Sequence, residues 1–275
     1  MKQIAISLLL SLMMSVFIVA QEKPKNDPPK EPTPDAAKQD ATKKEEKPAA
    51  SAAAALPTVE DILDKYVKAL GGKEACLKLT SRTVKGTFLI EAMNASGSLE
   101  AFTKAPNKNA TIITIEGFGT INSVYDGSKG WANDPFTGFR ELTGAELATT
   151  KRDADFYAML NFNKNYPKLV VKGIEKVGSS DAYVVEATPA EGPPEKFYFD
   201  VKNGLLTRHD SERESPQGTM AIQRYFEDYK PVDGVNFAHT WKQVTPVFEV
   251  TTKFTEVKNN TEIDETKFNK PSPTQ

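Results

Sequence analysis

The chain has 275 residues, with 35 Lys and Arg against 37 Asp and Glu, a formal net charge of -2 and a single cysteine. The mixed signs exclude the basic face expected of a nucleic-acid binder, and one cysteine excludes an internal disulfide and a paired-cysteine metal site. Once the first fifth, which is unsuited to packing, is set aside, the rest is long enough for one sizeable β-rich core.

Met1 to Ala20 reads MKQIAISLLLSLMMSVFIVA: an early lysine, a long apolar run and a small-residue exit. This is the pattern of a secretory signal peptide cleaved before Gln21, with an uncleaved membrane anchor as the alternative. The protein is therefore expected to be exported, to the periplasm or the extracellular space. Residues 21–57 carry seven prolines, many Lys and Glu, an alanine run and no aromatic residue. Such a segment buries too little surface to fold and reads as an extended tether. Residues 58–275 are expected to form the folded domain.

Thr58 opens a helix, because Thr58 and Asp61 have near-capping-box spacing and Val59, Ile62, Leu63, Tyr66, Val67 and Leu70 form one apolar stripe. Gly71-Gly72 ends it, and a second short helix is predicted from Lys73 to about Leu79. From Arg82 the period changes to two: Val84, Gly86, Phe88 and Ile90 alternate with Lys85, Thr87, Leu89 and Glu91. Further strands are predicted near 97–104, 109–116, 119–125 and 129–133, joined by short turns that favour antiparallel neighbours. Asp126-Gly127 is a tight-turn signal ahead of Trp131, which is read as an inward-facing packing residue.

Helix formers from Gly144 to about Asn161 interrupt the series, and strands resume at 168–176, 181–188, 195–201, 205–214, 219–229, 235–244 and 247–258. The late strands have aromatic faces: Phe197 with Phe199, Phe237 with Trp241, and Phe248 with Phe254. The pattern is mainly β (α+β), with about eleven or twelve antiparallel strands and two helical insertions. It predicts either a closed barrel or an open, strongly curved sheet, and the N-terminal helix pair favours a sheet wrapped over helices.

Catalytic motifs are missing. There is no Gly-x-Ser-x-Gly elbow, no His-Glu-x-x-His and no phosphate-binding glycine loop. His209 and His239 fall in different strands without a nearby cysteine, and His239, on one face with Phe237 and Trp241, is read as a hydrogen-bonded core residue, with a polar point in an apolar pocket as the alternative. Cys76, among apolar neighbours, is read as a buried inert thiol. The acidic groups Asp153 and Asp155, Asp210 to Glu214, and Glu227 with Asp228 lack calcium-loop spacing and fit solvated faces. Neither an enzyme nor a cofactor or metal is expected. An aromatic interior that leaves a void for an elongated apolar ligand is the functional expectation, and a filled core the bland one.

The hairpin VYDGSKGW, the run EKFYFDVKNGLLTR and the run IQRYFEDYKPVDGVNFAHTW, in this order of elements, resemble the outer-membrane lipoprotein-sorting proteins, the LolA/LolB-like superfamily, over about residues 58–270. The resemblance implies an unclosed, strongly curved antiparallel β-barrel wrapped over the helix pair and the helical insertion. It further implies a carrier that shelters a lipid, an acyl chain or a lipoprotein in a hydrophobic cavity. The matching contact candidates are Val84, Phe88, Phe197, Phe199, Phe237, Trp241 and Phe248, with Trp131 at the rim. Implied partners are a lipid or an acylated protein, with transient contact to a membrane or envelope protein. The tether is no part of that pattern, and the chain has no lipobox cysteine. The alternative reading is a non-catalytic envelope module for structure or protein interaction, with a filled core.

Overall fold

The computed structural model describes residues 55–135, 137–215 and 218–272. The expected signal segment and all but the last residues of the expected tether lie outside them. Among the described residues no helix is long and apolar enough to cross a membrane.

Helix α1, Val59–Leu70, begins at a complete capping box: Asp61 N–H donates to Thr58 Oγ1 and Thr58 N–H donates to the Asp61 carboxylate, each at 3.1 Å. Gly71 ends it at φ 122°, where a Cβ would lie 2.1 Å from the Gly234 carbonyl oxygen. Only glycine lets the helix end sit this close to the turn beneath it. Helix α2 follows at Lys73–Leu77.

Thirteen strands form a single antiparallel sheet. They are β1 Ser81–Ile90, β2 Ala95–Lys104, β3 Lys108–Ile115, β4 Gly119–Tyr125, β5 Gly130–Asp134 and β6 Gly138–Glu141, then β7 Lys168–Val177, β8 Ser180–Thr188, β9 Glu195–Asp200, β10 Leu206–Ser215, β11 Gly218–Val232, β12 Val235–Val244 and β13 Glu249–Asn259. Helices α3, Gly144–Asp153, and α4, Phe162–Asn165, separate β6 from β7. The order is β6-β5-β4-β3-β2-β1-β13-β12-β11-β10-β9-β8-β7, so hairpins build each half and β1 pairs with β13 to join them. The edge strands β6 and β7 do not pair with each other, which leaves the barrel unclosed. The strand count exceeds the expectation because β6, GFRE, is only four residues long and carries too little alternation to be read from sequence.

Curvature follows from side-chain packing. Met220 of β11 and Ile113 of β3 belong to one buried cluster, with Phe88, Ile90, Phe248 and Val250. Those two strands are five places apart in the sheet, and at about 4.8 Å per place a flat sheet would hold them roughly 24 Å apart. The sheet therefore curls until its two halves meet. On the β7 to β12 side, α1 inserts Ile62, Tyr66 and Leu70 against Phe162, Phe197, Phe199 and Val235, so the helices cover that part of the concave face. Cys76 is buried in the same cluster, as read from its apolar neighbours.

Candidate functional site

Between the two packed clusters the concave face leaves a cavity of about 330 Å³. Six neighbouring strands, β1 to β3 and β11 to β13, line it with alternate residues, as a period of two requires. Val84, Ala101, Ile113 and Val250 make much of its apolar wall, and Phe237, Trp241 and Phe254 add an aromatic wall. Trp241 lies 6.4 Å from Phe237 in a stacked pair and meets Phe254 edge-on at 4.9 Å. A smaller cavity of about 140 Å³ shares Arg82, Phe237 and Trp241 with the first and reaches Tyr66 and Leu70, so the end of α1 borders the site.

Of the residues singled out from sequence, Val84, Phe237 and Trp241 line this cavity. Phe88 and Phe248 are packed in the neighbouring cluster with Ile113 and Met220. Phe197 and Phe199 lie beneath α1 and α4, where Phe162 meets Phe197 edge-on at 5.0 Å and Tyr66 lies 5.1 Å from Phe199. These four rings are core: Phe88 and Phe248 are held by neighbouring strands, and Phe197 and Phe199 by helices whose contacts no strand pattern discloses.

Trp131 is on the other face altogether. Phe102, Ala110, Val124 and Trp131 are successive cross-strand partners through β2, β3, β4 and β5, and Ile263 and Phe268 cover that row from the C-terminal segment. Because Ala101 and Thr103, either side of Phe102, line the cavity, alternation turns the Phe102 row away from it. The hairpin before Trp131 is a turn held by Asp126, whose carboxylate accepts the Ser128 and Lys129 N–H groups at 2.7 and 2.8 Å.

Among the lining residues that sequence reasoning passed over are two arginines, Arg82 and Arg224. The signal was available: Arg82 precedes Val84 by two, and Arg224 stands between Ile222 and Phe226 on the inward face of β11. Arg82 Nε donates to Asn259 Oδ1 at 2.8 Å, and its guanidinium lies 5.0 Å from the Phe237 ring centroid. Arg224 Nη2 donates to Gln243 Oε1 at 3.1 Å and lies 5.5 Å from the Trp241 centroid. His239 uses Nδ1 on the Phe237 carbonyl at 2.9 Å, a local backbone contact.

A buried ion cluster lies away from the cavity, under α3. Glu195 receives Arg152 Nη2 at 2.5 Å, His209 Nε2 at 2.7 Å and the Tyr166 hydroxyl at 2.9 Å, with Arg213 Nη1 at 3.7 Å. Burial raises the Glu195 carboxyl, but the hydrogen bond and charge of His209 and the charges of Arg213 and Arg152 outweigh it and hold the carboxyl well below the usual range. His209 also stacks on Phe197 at 4.2 Å. With the Glu195 carboxylate shared among Arg152, His209 and Tyr166 and the Phe197 ring across one face, the cluster ties α3 to β9 and β10. Among the described residues no group of His, Cys, Asp and Glu is placed to hold a metal ion. Of the acidic groups weighed from sequence, Asp155 accepts from Asn161 and Asn165, and Asp210 pairs with Arg208.

No family model matches the chain, and no curated protein matches it. Solved structures do. A LolA superfamily protein from Nitrosomonas europaea aligns over 78% of this chain and 99% of its own at 14% identity and a TM-score of 0.52. A DUF1329 family protein from Desulfovibrio piger aligns over 77% of this chain and 97% of its own at 13% identity and a TM-score of 0.51. At such identities the likeness is one of fold: this chain resembles LolA superfamily proteins in its open, curled antiparallel sheet.

Proposed function

We propose that the protein is an exported binding or carrier protein, acting in the periplasm or outside the cell, that shelters one apolar chain in the half-barrel cavity. The observation that carries this reading is the 330 Å³ space with an apolar and aromatic wall, left open between two cores that are otherwise packed. Its volume lies within the roughly 300–1,000 Å³ of small-molecule sites. At roughly 30 Å³ per water-sized group it holds about ten, enough for one medium acyl chain and too few for several. Affinity comes from apolar burial at about 25 cal/mol per Å². The cargo class is a free lipid or the acyl group of a protein, and the end of α1, at the cavity margin, is the element whose movement admits it. No residue of the cavity is assigned a catalytic role.

The test is to purify the exported protein without delipidation, weigh it by native mass spectrometry and extract bound material for lipid analysis. A stoichiometric acyl ligand is expected. A protein that arrives empty and takes up no fluorescent fatty-acid probe overturns the carrier reading and leaves an interaction module with a filled core.

A further inference from the structure

The interior of this protein pairs its arginines with carboxylates, except in the cavity. Arg140 reaches Glu146 at 2.5 Å, Arg152 reaches Glu195 at 2.5 Å, Arg208 reaches Asp210 at 2.6 Å and Arg213 reaches Asp153 at 3.0 Å. Arg82 and Arg224 differ: among the described residues neither forms an ion pair, and the hydrogen bonds they donate go to neutral amide oxygens of Asn259 and Gln243. Both are organised around one aromatic pair, Arg82 over Phe237 and Arg224 over Trp241. Ring faces orient a guanidinium and partly offset its desolvation, but they do not neutralise it.

The nearby acids leave the two charges uncompensated. Arg82 feels Asp233 and Arg224 feels Asp153 and Glu195 only at longer range, and Asp153 and Glu195 already serve Arg213 and Arg152. Burial lowers both guanidiniums, and burial with repulsion from Arg213 brings Arg224 down to about 10, so both remain charged at neutral pH. Both arginines are half-buried, and a cation even partly withdrawn from water without an anion carries a cost. Two of them in the wall of one apolar cavity make a site that is complete only when an anion enters it.

We infer that the cavity takes an amphiphile with an anionic head group, a carboxylate or a phosphate, drawn by the positive charge that Arg82 and Arg224 place in its wall, while its chain lies along Val84, Ala101, Ile113 and Val250. The inference rests on the carrier reading and narrows it. Guanidinium donors match carboxylate and phosphate oxygens in geometry as well as charge. The stacked rings hold the donors in place before the ligand arrives, which reduces the ordering cost of binding.

Three ligands with the same tail decide it: dodecanoate, dodecyl phosphate and dodecanol, titrated calorimetrically into the full chain stripped of copurified material. At least one anion is expected to bind tighter than the alcohol by roughly tenfold or more, and the tighter of the two identifies a fatty acid or a phospholipid-type head as the source. Arg82→Gln and Arg224→Gln are each expected to collapse the ratio of anion to alcohol affinity, with thermal melts to establish that the variants fold. The wild-type comparison needs no variant. If dodecanol binds as tightly as both anions, the head-group inference falls and the carrier reading stands. If none of the three binds, the carrier reading falls and takes the inference with it.

Discussion

Ala101 offers the most direct way to close the cavity. It lies in the middle of β2, paired with Val84 on one side and Thr111 on the other, and its side chain faces the open space. An Ala101→Trp substitution projects an indole into a volume of about 330 Å³. A buried aromatic side chain covers roughly 150 Å² or more. If the ligand loses that much apolar contact, at about 25 cal/mol per Å² the loss is about 4 kcal/mol, close to a thousandfold in affinity. The assay is displacement of a fluorescent fatty-acid probe, beside a thermal melt followed by circular dichroism. Stability should hold or rise, because the ring fills space that costs nothing to occupy and aromatic residues suit strands. Ala101→Leu should give a smaller loss in the same direction. A folded Ala101→Trp protein that binds the probe with parental affinity refutes the placement of the ligand in this cavity.

Glu195→Gln should destabilise the fold by about 3–5 kcal/mol in urea unfolding, because it strands Arg152 without its anion and leaves Arg213 with Asp153 alone. The same cluster sets a pH dependence: the folded Glu195 carboxyl is depressed, so its stabilisation is present above the usual carboxylate value of about 4.3 and is lost as pH falls toward the folded value. Melts of the parent should therefore weaken below that point, and those of Glu195→Gln should weaken less. Phe237→Asp should abolish probe uptake in a folded protein, since it adds a carboxylate beside Arg82 where the ligand is proposed to bind. Trp131→Ala should cost about 3–5 kcal/mol in unfolding experiments, yet leave probe affinity unchanged, because its row packs on the opposite face.

Much of the fold was legible because its determinants are local. The capping residues of α1, the glycines that end it and the period of two from Arg82 onward each act within a few residues of chain. Twelve of the strands carry enough alternation to be read, whereas β6 does not. Face assignment is a different matter. Trp131 could be placed in a strand from YDGSKGW, but which side of the sheet it occupies depends on register carried across β2, β3 and β4, and on Ile263 and Phe268 arriving from far along the chain. A register is a relation between strands, and no single run of sequence contains it.

The site was the least legible part, and the reason is physical. A void is what side chains leave, so Phe88, Phe197, Phe199 and Phe248 carry the same alternating signal as Phe237 and Trp241 although helices or neighbouring strands fill the space around them. Apolar residues at inward positions report burial and cannot report emptiness. Charge at such a position is more informative, because burying it has a cost that something must offset. Arg213, inward on β10, is offset by Asp153 and Glu195, and Arg82 and Arg224 are not offset among the described residues. An inward-register arginine is thus a signal that sequence offers but does not resolve: Arg213 marks a paired cluster, Arg82 and Arg224 mark the cavity wall, and the ion pairing that tells them apart is a tertiary relation.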